Sequence, residues 1–538
     1  MNPTDDFSRV PDAPQSHDQT VLDALAGDLL AAGYLHDAVT ELVGEEAHAA
    51  LNRDQVVPAL VAVQRKLALP APPSLAVVVG LWMLGLEQPT AVVDRAFPRC
   101  GAAGLVALGL AAPVEGTDLM RATADLRPHA SDADAEIWVA SDLGAHQRPG
   151  PLRHDHVLGI GRASLTLAQT TIRRDVRRAL DLGTGCGIQA FHLLSHADSV
   201  VATDVSERAL AFTRFNLLLN HRALGVDPAA PGDRVDLRLG SLLDPVAGEQ
   251  FDLVVSNPPF VITPHPAGES DAERYTYRDG GLPGDRLVAG LVAGLPAVLA
   301  PGGTAQLLAN WEITADDAGD PDWARRPRSW VPEGTEAWFI QRETASPEEY
   351  AETWLRDSSE ARDPDRYRRR YVEYLEDFAS RSVLAVGFGM VWLRRAQDPG
   401  RMPVGRRFEE IGYPIEQPIG PHLDAAVEAA GFVAGAQVAD LLLVCAEDVT
   451  EERHQRPGAE HPGVILLRQG AGLRRTTLLS TEEAGFVSAC DGQLTVRQIA
   501  LAIAALLDRD PDETLRDLSA SVVRLVTGGF LCGMRNNG

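Results

Sequence analysis

A glycine-rich segment and a later aspartate have the chemistry of a nucleoside site. Residues 181–187 read DLGTGCG and separate an apolar run from a run with helical periodicity. Glycines at such a turn let the backbone bend sharply and approach a ligand that a Cβ would obstruct. Asp204 ends the next apolar run, where a carboxylate can accept hydrogen bonds from both ribose hydroxyls. The pair predicts an adenosine-containing ligand. The alternative for Asp204 is an N-cap of the following helix, with Ser206 as the rival cap.

A double proline ends a further apolar run. Residues 256–260 read SNPPF, and two prolines remove two backbone N–H donors, so the chain must leave the sheet here. That point is the carboxyl edge, where ligands bind in open α/β sheets. The Asn257 side-chain oxygen and the Pro258 carbonyl can accept hydrogen bonds, and Phe260 offers a flat apolar face. The segment suits a planar NH2 group; the alternative is a simple strand terminator.

Alternating strands and helices must position these segments. Strands are predicted at residues 179–182, 200–203, 235–239, 251–256 and 305–309, with helices at 188–195, 207–220 and 286–299. Strands joined through helices need crossover connections, which make a sheet largely parallel. The predicted fold class is therefore α/β, with a doubly wound, Rossmann-like core. Further strands are expected at residues 137–139, at 157–160, and at 382–393, where the last would close the sheet.

Composition narrows the possible functions. The chain has 538 residues with 49 basic and 75 acidic side chains, a net charge of −26, so any nucleic-acid contact must be local. No apolar run reaches the roughly 20 residues that span a bilayer, and no signal pattern opens the chain, which predicts a cytoplasmic protein without membrane contact. Five dispersed cysteines predict neither a disulfide framework nor a zinc knuckle. His154 and His156 would share a strand face but lack a further ligand, so no metal is expected.

The predicted domain organisation has four parts. Residues 1–20 are polar without periodicity and predict a disordered tail. Residues 21–135 predict a helical N-terminal domain, and residues 136–450 the α/β domain, with its core at 159–310 and an irregular insertion at 314–335. Residues 463–538 predict a winged-helix-like module of three short helices and a terminal strand, and capping-box pairs begin two of the helices. Those pairs are Ser480 with Glu483 and Thr495 with Gln498.

The chain resembles class I S-adenosylmethionine-dependent methyltransferases of the Asn/Asp-Pro-Pro-aromatic group. The resemblance is carried by residues 181–187, Asp204 and residues 257–260, and it covers about residues 159–309. It implies S-adenosylmethionine as the cofactor. The residues implied to bind it are Asp181, Gly183, Thr184, Gly185, Gly187, Asp204, Ser241 and Asn257. The residues implied to act in transfer are Asn257, Pro258, Pro259 and Phe260. Ser241 departs from the group, since many relatives place an acid there.

Members of this group methylate exocyclic amines of adenine or guanine, or the side-chain amide of a protein glutamine. Residues 277–284, YRDGGLPG, are similar to a Gly-Gly-x-x-Gly stretch of release-factor glutamine methyltransferases, although those enzymes usually have Tyr at the position of Phe260. The resemblance therefore favours N-methylation of a glutamine in a macromolecule such as a translation factor. One alternative is an adenine or guanine amine in RNA or DNA, contacted by arginines and tyrosines at residues 366–371. Another is a non-catalytic cofactor-binding scaffold.

Overall fold

The computed structural model describes residues 6–51, 53, 55–130, 136–144, 146–147, 153–264, 280–315, 321–357, 363–397 and 405–533. The chain forms two compact units. The first comprises Met1–Ala168, Arg174–Arg401 and Arg407–Glu409, and the second comprises Gln169–Arg173, Met402–Arg406 and Glu410–Gly538. No helix in the described part of the chain is long and apolar enough to cross a membrane.

The N-terminal region is mainly helical, as predicted, but it also contains short strands. Its helices are α1 (Gln19–Ala31), α2 (His36–Val43), α3 (Glu45–Leu51), α4 (Val57–Leu67), α5 (Ser74–Val78), α6 (Thr90–Ala96) and α7 (Gly101–Ala107). Its strands are β1 (Gln88–Pro89), β2 (Ala111–Pro113), β3 (Leu119–Ala122), β4 (Asp125–Ala130) and β5 (Glu136–Ser141). Tertiary contacts fix β4 and β5, because the Tyr34 hydroxyl donates to the Leu126 carbonyl at 2.6 Å and the Trp138 indole donates to the Tyr34 carbonyl at 2.7 Å.

A large mixed sheet forms the centre of the first unit. Its strands are β6 (Val176–Leu182), β7 (Ala197–Asp204), β8 (Val235–Leu239), β9 (Phe251–Ser256), β10 (Leu299–Thr314), β11 (Thr335–Ala345), β12 (Val383–Arg395) and β13 (Arg406–Glu410). Their order is β13-β11-β12-β10-β9-β6-β7-β8. The five strands from β10 to β8 are parallel, whereas β12 runs antiparallel to both β10 and β11. The predicted parallel core is thus confirmed, and the strand predicted at 382–393 joins the sheet as β12, but it does not close the sheet, because β11 and β13 lie beyond it. β10 is longer than predicted because its distal half pairs with β12.

Helices connect and cover these strands. They are α8 (Arg162–Thr170), α9 (Ile188–Leu193), α10 (Glu207–Leu219), α11 (Arg286–Val298), α12 (Arg325–Trp330), α13 (Pro347–Asp357) and α14 (Pro364–Ser380). The apolar residues of α11 recur at helical spacing and are buried against β6, β9 and β10.

Two segments of the first unit differ from the prediction. Residues 6–18 are not a disordered tail: Phe7 is only 3% exposed, and the side chains of Arg208 and Arg214 on α10 donate to the carbonyls of Asp12 (2.8 Å) and Ser16 (2.8 Å). Buried guanidinium groups need acceptors, and periodicity cannot reveal that this polar segment supplies them. The insertion at 314–335 includes α12, whose Arg326 Nε donates to buried Asp285 at 2.8 Å. Residues 1–5 and 316–320 lie outside the described residues.

The second unit contains α15 (Gly420–Gly435), β14 (Leu442–Cys445), β15 (Val449–His454), β16 (Val464–Gln469), β17 (Thr476–Leu479), α16 (Thr481–Ser488), β18 (Asp491–Thr495), α17 (Val496–Leu507), α18 (Pro511–Thr527) and β19 (Leu531–Gly533). Both predicted capping boxes are present at the starts of α16 and α17. The longest segment of this unit, Glu410–Gly538, begins earlier than the predicted module, and it includes β14, which is the central strand between β18 and β19. That this unit is winged-helix-like stays a prediction.

Candidate active site

The glycine loop and the double-proline segment begin at neighbouring strand ends. Leu182 on β6 is in register with Ser256 on β9, and the Ser256 hydroxyl donates to the Leu182 carbonyl at 2.8 Å. The strand order reverses between β6 and β9, because β7 and β8 lie on one side and β10 on the other. In α/β sheets, ligands bind at such a switch point beyond the carboxyl ends of the strands.

A cavity of about 270 Å³ occupies this switch point. It is lined by residues from the segment 155–164, the glycine loop, the end of β7, residues 240 and 242, and the end of β9. The cavity therefore brings together Gly185, Asp204 and Asn257, which are far apart in the sequence. Of the predicted site residues, those on its wall are Gly183, Thr184, Gly185, Asp204, Asn257, Pro258 and Pro259.

Two glycines of the loop leave room for a ligand. Gly183 and Gly185 have φ values of +78° and +58°, which side-chain-bearing residues rarely adopt, and a Cβ at either position would meet no atom within 4 Å. Gly187 serves another purpose and does not line the cavity. Its φ is +92°, and a Cβ there would lie 2.5 Å from the Phe191 ring, so this glycine permits the close start of α9.

Asp181 supports the loop from outside the cavity. Its Oδ2 accepts hydrogen bonds from the Thr184 hydroxyl at 2.6 Å and from the Ala190 N–H at 3.0 Å. The side chain is 1% exposed, and burial raises the pKa of Asp181 to about 7. The predicted contact between Asp181 and a cofactor is therefore not present in this geometry; its carboxyl group instead joins the loop to α9.

Asp204 combines a structural bond with free acceptor capacity. Its Oδ2 accepts from the Gly185 N–H at 3.0 Å and its Oδ1 from the Ser206 N–H at 2.9 Å. A carboxylate has about four lone-pair sites, so acceptor positions remain for a diol. Burial raises the pKa of this carboxyl group. The N-cap alternative is wrong, because the Ser206 hydroxyl caps α10 by accepting from the Ala209 N–H.

The wall beside Asp204 is apolar. Leu242 and Val205 line the cavity, and Leu242 has a positive φ of +49°. Ser241, one of the predicted cofactor-binding residues, lies between Gly240 and Leu242 but does not line the cavity. The structure therefore offers an apolar side chain, and no acid, at this part of the wall.

Asn257 also lines the cavity. Its Oδ1 is buried and accepts no hydrogen bond from any described residue. A buried acceptor without a donor is destabilising, so this oxygen is suited to the N–H of an incoming molecule. Pro258 and Pro259 also line the cavity. Phe260 does not: it packs against the apolar cluster around α11, so the predicted flat face is not part of the cavity wall.

The segment 155–161 also lines the cavity, a role that no pattern in the sequence predicts. His156 is 6% exposed, and its Nδ1 lies 3.7 Å from Asp142 Oδ2. The same carboxylate accepts from the Val157 N–H at 2.8 Å and from Arg208 Nη2 at 2.6 Å. The strand predicted at 157–160 does not form, since Asp142 rather than a neighbouring strand takes this backbone bond. No spacing in the sequence connects these groups.

The donor and acceptor set fits S-adenosylmethionine. Gly183 and Gly185 allow close approach, Asp204 has acceptor capacity for a ribose diol, and Leu242 gives an apolar surface for a base. Among the described residues, no group of three or more His, Cys, Asp or Glu side chains could hold a metal ion. Residues 277–279 of the predicted YRDGGLPG segment lie outside the described residues.

The sheet order and the cavity at its switch point define a Rossmann-like domain of the class I methyltransferase type. Residues 157–268 match the family described as methyltransferase small domain, and residues 31–123 match a domain of unknown function, DUF7059. The chain is 33% identical over 159 residues to the release factor glutamine methyltransferase of Xylella fastidiosa, covering 27% of this chain and 53% of that protein. It is 32% identical over 159 residues to the ribosomal protein uL3 glutamine methyltransferase of Bradyrhizobium diazoefficiens, covering 29% and 46%.

The chain spans about half the length of these curated relatives. A solved structure of an rRNA methylase from Streptococcus thermophilus is 14% identical, with a TM-score of 0.23, and the match covers 45% of this chain and all of that chain (100%). A similarity at that level carries no information about function.

Proposed function

We propose that this protein is an S-adenosylmethionine-dependent N-methyltransferase whose acceptor is the side-chain amide of a glutamine in another protein. The observation that carries the proposal is the buried Oδ1 of Asn257, which accepts no hydrogen bond from the described part of the chain and lies in the same cavity as Gly185 and Asp204. The names of the two relatives, both glutamine methyltransferases, support this choice of acceptor. A translation factor or ribosomal protein as acceptor would place the reaction in the cytoplasm.

The cofactor would lie between the glycine loop and Asp204. Asp204 would accept bonds from the ribose hydroxyls, and Leu242 would pack against the base. When bound, S-adenosylmethionine supplies a sulfonium methyl group. Gly183 and Gly185 would let the loop backbone approach it closely.

Asn257 and Pro258 would position the acceptor nitrogen. Asn257 Oδ1 and the Pro258 carbonyl oxygen accept the two N–H bonds of a planar amide, which directs the nitrogen lone pair toward the methyl group. These acceptors also stabilise the positive charge that develops on nitrogen during transfer. As the nitrogen forms its bond to the methyl carbon, the bond from that carbon to sulfur would break and S-adenosylhomocysteine would leave. The nitrogen would release one proton to water, and the product would be a neutral N-methyl amide. A strong general base is then not required. Positioning of this kind can lower the activation free energy by at most about 7 to 11 kcal/mol.

The arginines of α14 lend little support to a nucleic-acid acceptor. Arg370 pairs with Glu373 at 2.8 Å, and Arg368 lies 3.8 Å from Asp365. The Tyr371 hydroxyl lies 3.2 Å from a carboxylate oxygen of Glu352. This face therefore carries its own counter-charges, which favours a protein acceptor over a phosphate backbone.

The test uses the full chain, tritium-labelled S-adenosylmethionine and a bacterial lysate. Separate portions are treated with nuclease or with protease, and protein-bound label is then located by mass spectrometry. We expect the label to be released by protease alone and to lie on a glutamine side chain. Label released by nuclease would assign the protein to nucleic-acid methylation. Tight cofactor binding without any transfer would identify it as a non-catalytic scaffold.

A further inference from the structure

Tyr350 on α13 contacts the backbone that leaves the double-proline segment. Its hydroxyl oxygen accepts a hydrogen bond from the Ile262 N–H at 2.8 Å and another from Asn310 Nδ2 at 3.0 Å. The side chain is 1% exposed, and its ring stacks on Phe388 at a centroid distance of 5.7 Å. Tyr350 lies outside residues 157–268, which match the methyltransferase family.

The Ile262 N–H depends on this hydroxyl. Ile262 is fully buried and follows the point at which the chain has left β9, so strand pairing in β9 no longer satisfies its N–H. A buried N–H without an acceptor destabilises the conformation that buries it. Tyr350 therefore fixes the outgoing end of the segment 257–260, just as the bond between Ser256 and Leu182 fixes its incoming end.

Apolar packing strengthens this attachment. Val261 and Ile262 belong to one buried cluster with Tyr350, Tyr374 and Phe378 of α13 and α14. The two prolines between the fixed ends have φ restricted by their rings. The backbone is thus fixed both before and after Asn257. The contacts after it come from α13 and α14, the helices that follow β11.

Asn310 on β10 is held by the same hydroxyl. It is fully buried, and while its Nδ2 donates to Tyr350, its Oδ1 has no donor among the described residues. Tyr350 thereby connects the segment that carries Asn257 to the strand that carries Asn310. Each of these two asparagines has an amide oxygen without a donor among the described residues.

We infer that Tyr350 is a positioning residue for methyl transfer: its hydroxyl sets the conformation of the acceptor segment and so the direction of Asn257 Oδ1. This inference rests on the proposed function. It implies that α13 and α14, which lie beyond the region matched to the family, are part of the acceptor site.

The test compares Tyr350→Phe with Tyr371→Phe, using the full chain. Tyr350→Phe keeps the ring but removes the acceptor of the Ile262 N–H. Tyr371→Phe removes an exposed hydroxyl from the same helical pair, where it donates to Glu352. We expect Tyr350→Phe to bind S-adenosylmethionine within about twofold of the wild type but to slow single-turnover transfer about 10- to 100-fold, with KM for the acceptor nearly unchanged. Tyr371→Phe should match the wild type in affinity for S-adenosylmethionine, in single-turnover transfer rate and in KM for the acceptor.

Hydrogen exchange gives a readout that does not depend on activity. Pro258, Pro259 and Pro264 carry no amide hydrogen, so a peptide over residues 258–264 reports few amides, Ile262 among them. We expect protection at Ile262 in the wild type and its loss in Tyr350→Phe. Two results would overturn the inference. One is exchange at Ile262 in the wild type as fast as that of an exposed loop, a result that counts even if the variant fails to fold. The other is transfer by Tyr350→Phe at the wild-type rate. Absence of transfer by the wild type would instead contradict the proposed function.

Discussion

The backbone N–H of Gly185 donates a hydrogen bond of 3.0 Å to Oδ2 of Asp204. The glycine loop after β6 and the carboxylate at the end of β7 are therefore one connected unit. Because Ser256 bonds to Leu182 directly before that loop, β9 joins the same unit. A substitution at any of these three strand ends should therefore also alter the conformation of the other two.

Asp204→Ala should weaken cofactor binding in two ways, since it removes the acceptors for the ribose and the bond that fixes Gly185. We expect the dissociation constant for S-adenosylmethionine to rise about 100-fold, equivalent to about 2.7 kcal/mol. Asp204→Asn keeps one oxygen and should be affected less. Calorimetric titration measures both, and equal affinity of Asp204→Ala and the wild type would remove Asp204 from the binding site.

Gly185→Val should block the cavity, because its side chain would occupy the open space beside the loop and its φ of +58° is unfavourable for valine. Gly225→Val is the matched control: Gly225 has a φ of +64° and open space within 4 Å, but it does not line the cavity. Both variants should lose similar stability in thermal unfolding. We expect only Gly185→Val to lose cofactor binding by more than about 100-fold; equal binding by the two variants would contradict the assigned cavity.

Asn257→Ala should separate binding from transfer. Gly185 and Asp204, the residues proposed to hold the cofactor, are unchanged in this variant, so we expect affinity for S-adenosylmethionine to change less than about twofold while transfer falls about 100- to 1,000-fold. Asn257→Asp keeps an acceptor oxygen and should retain more activity than Asn257→Ala. Single-turnover transfer to the labelled acceptor is the measurement. Full activity in Asn257→Ala would refute the proposed role of Oδ1.

The raised pKa of Asp181 predicts that the free energy of unfolding depends on pH. Burial raises the pKa of this carboxyl group from 3.8 to about 7, so the folded chain binds its proton more tightly than the unfolded chain does. The resulting stabilisation is fully present below the unfolded pKa and is lost as the pH rises through the folded pKa. Relative to Asp181→Asn, the free energy of unfolding of the wild type should therefore fall between about pH 4 and about pH 7. Urea unfolding at several pH values tests this, and parallel curves for the two proteins would show that Asp181 does not titrate in this range.

The sequence by itself determined the features that depend on neighbouring residues. The alternation of β6 to β10 with their helices follows from hydrophobic periodicity, and the capping boxes at Ser480 and Thr495 follow from local hydrogen bonding. The glycine loop and the double proline predicted where the chain turns at the sheet edge, because glycine and proline restrict the backbone through their own covalent structure.

Only the tertiary structure decided which of these residues face the cavity. Asp181, Gly187 and Phe260 match the motif by position, but a buried hydrogen bond, close contact with Phe191 or apolar packing keeps them off the cavity wall. Ser241 is exposed and does not line the cavity either. The bonds from Arg208 to Asp142 and from Ile262 to Tyr350 join residues distant in sequence. Such bonds form because burial leaves polar groups in need of partners, and which partner comes within reach depends on the packing of the whole chain.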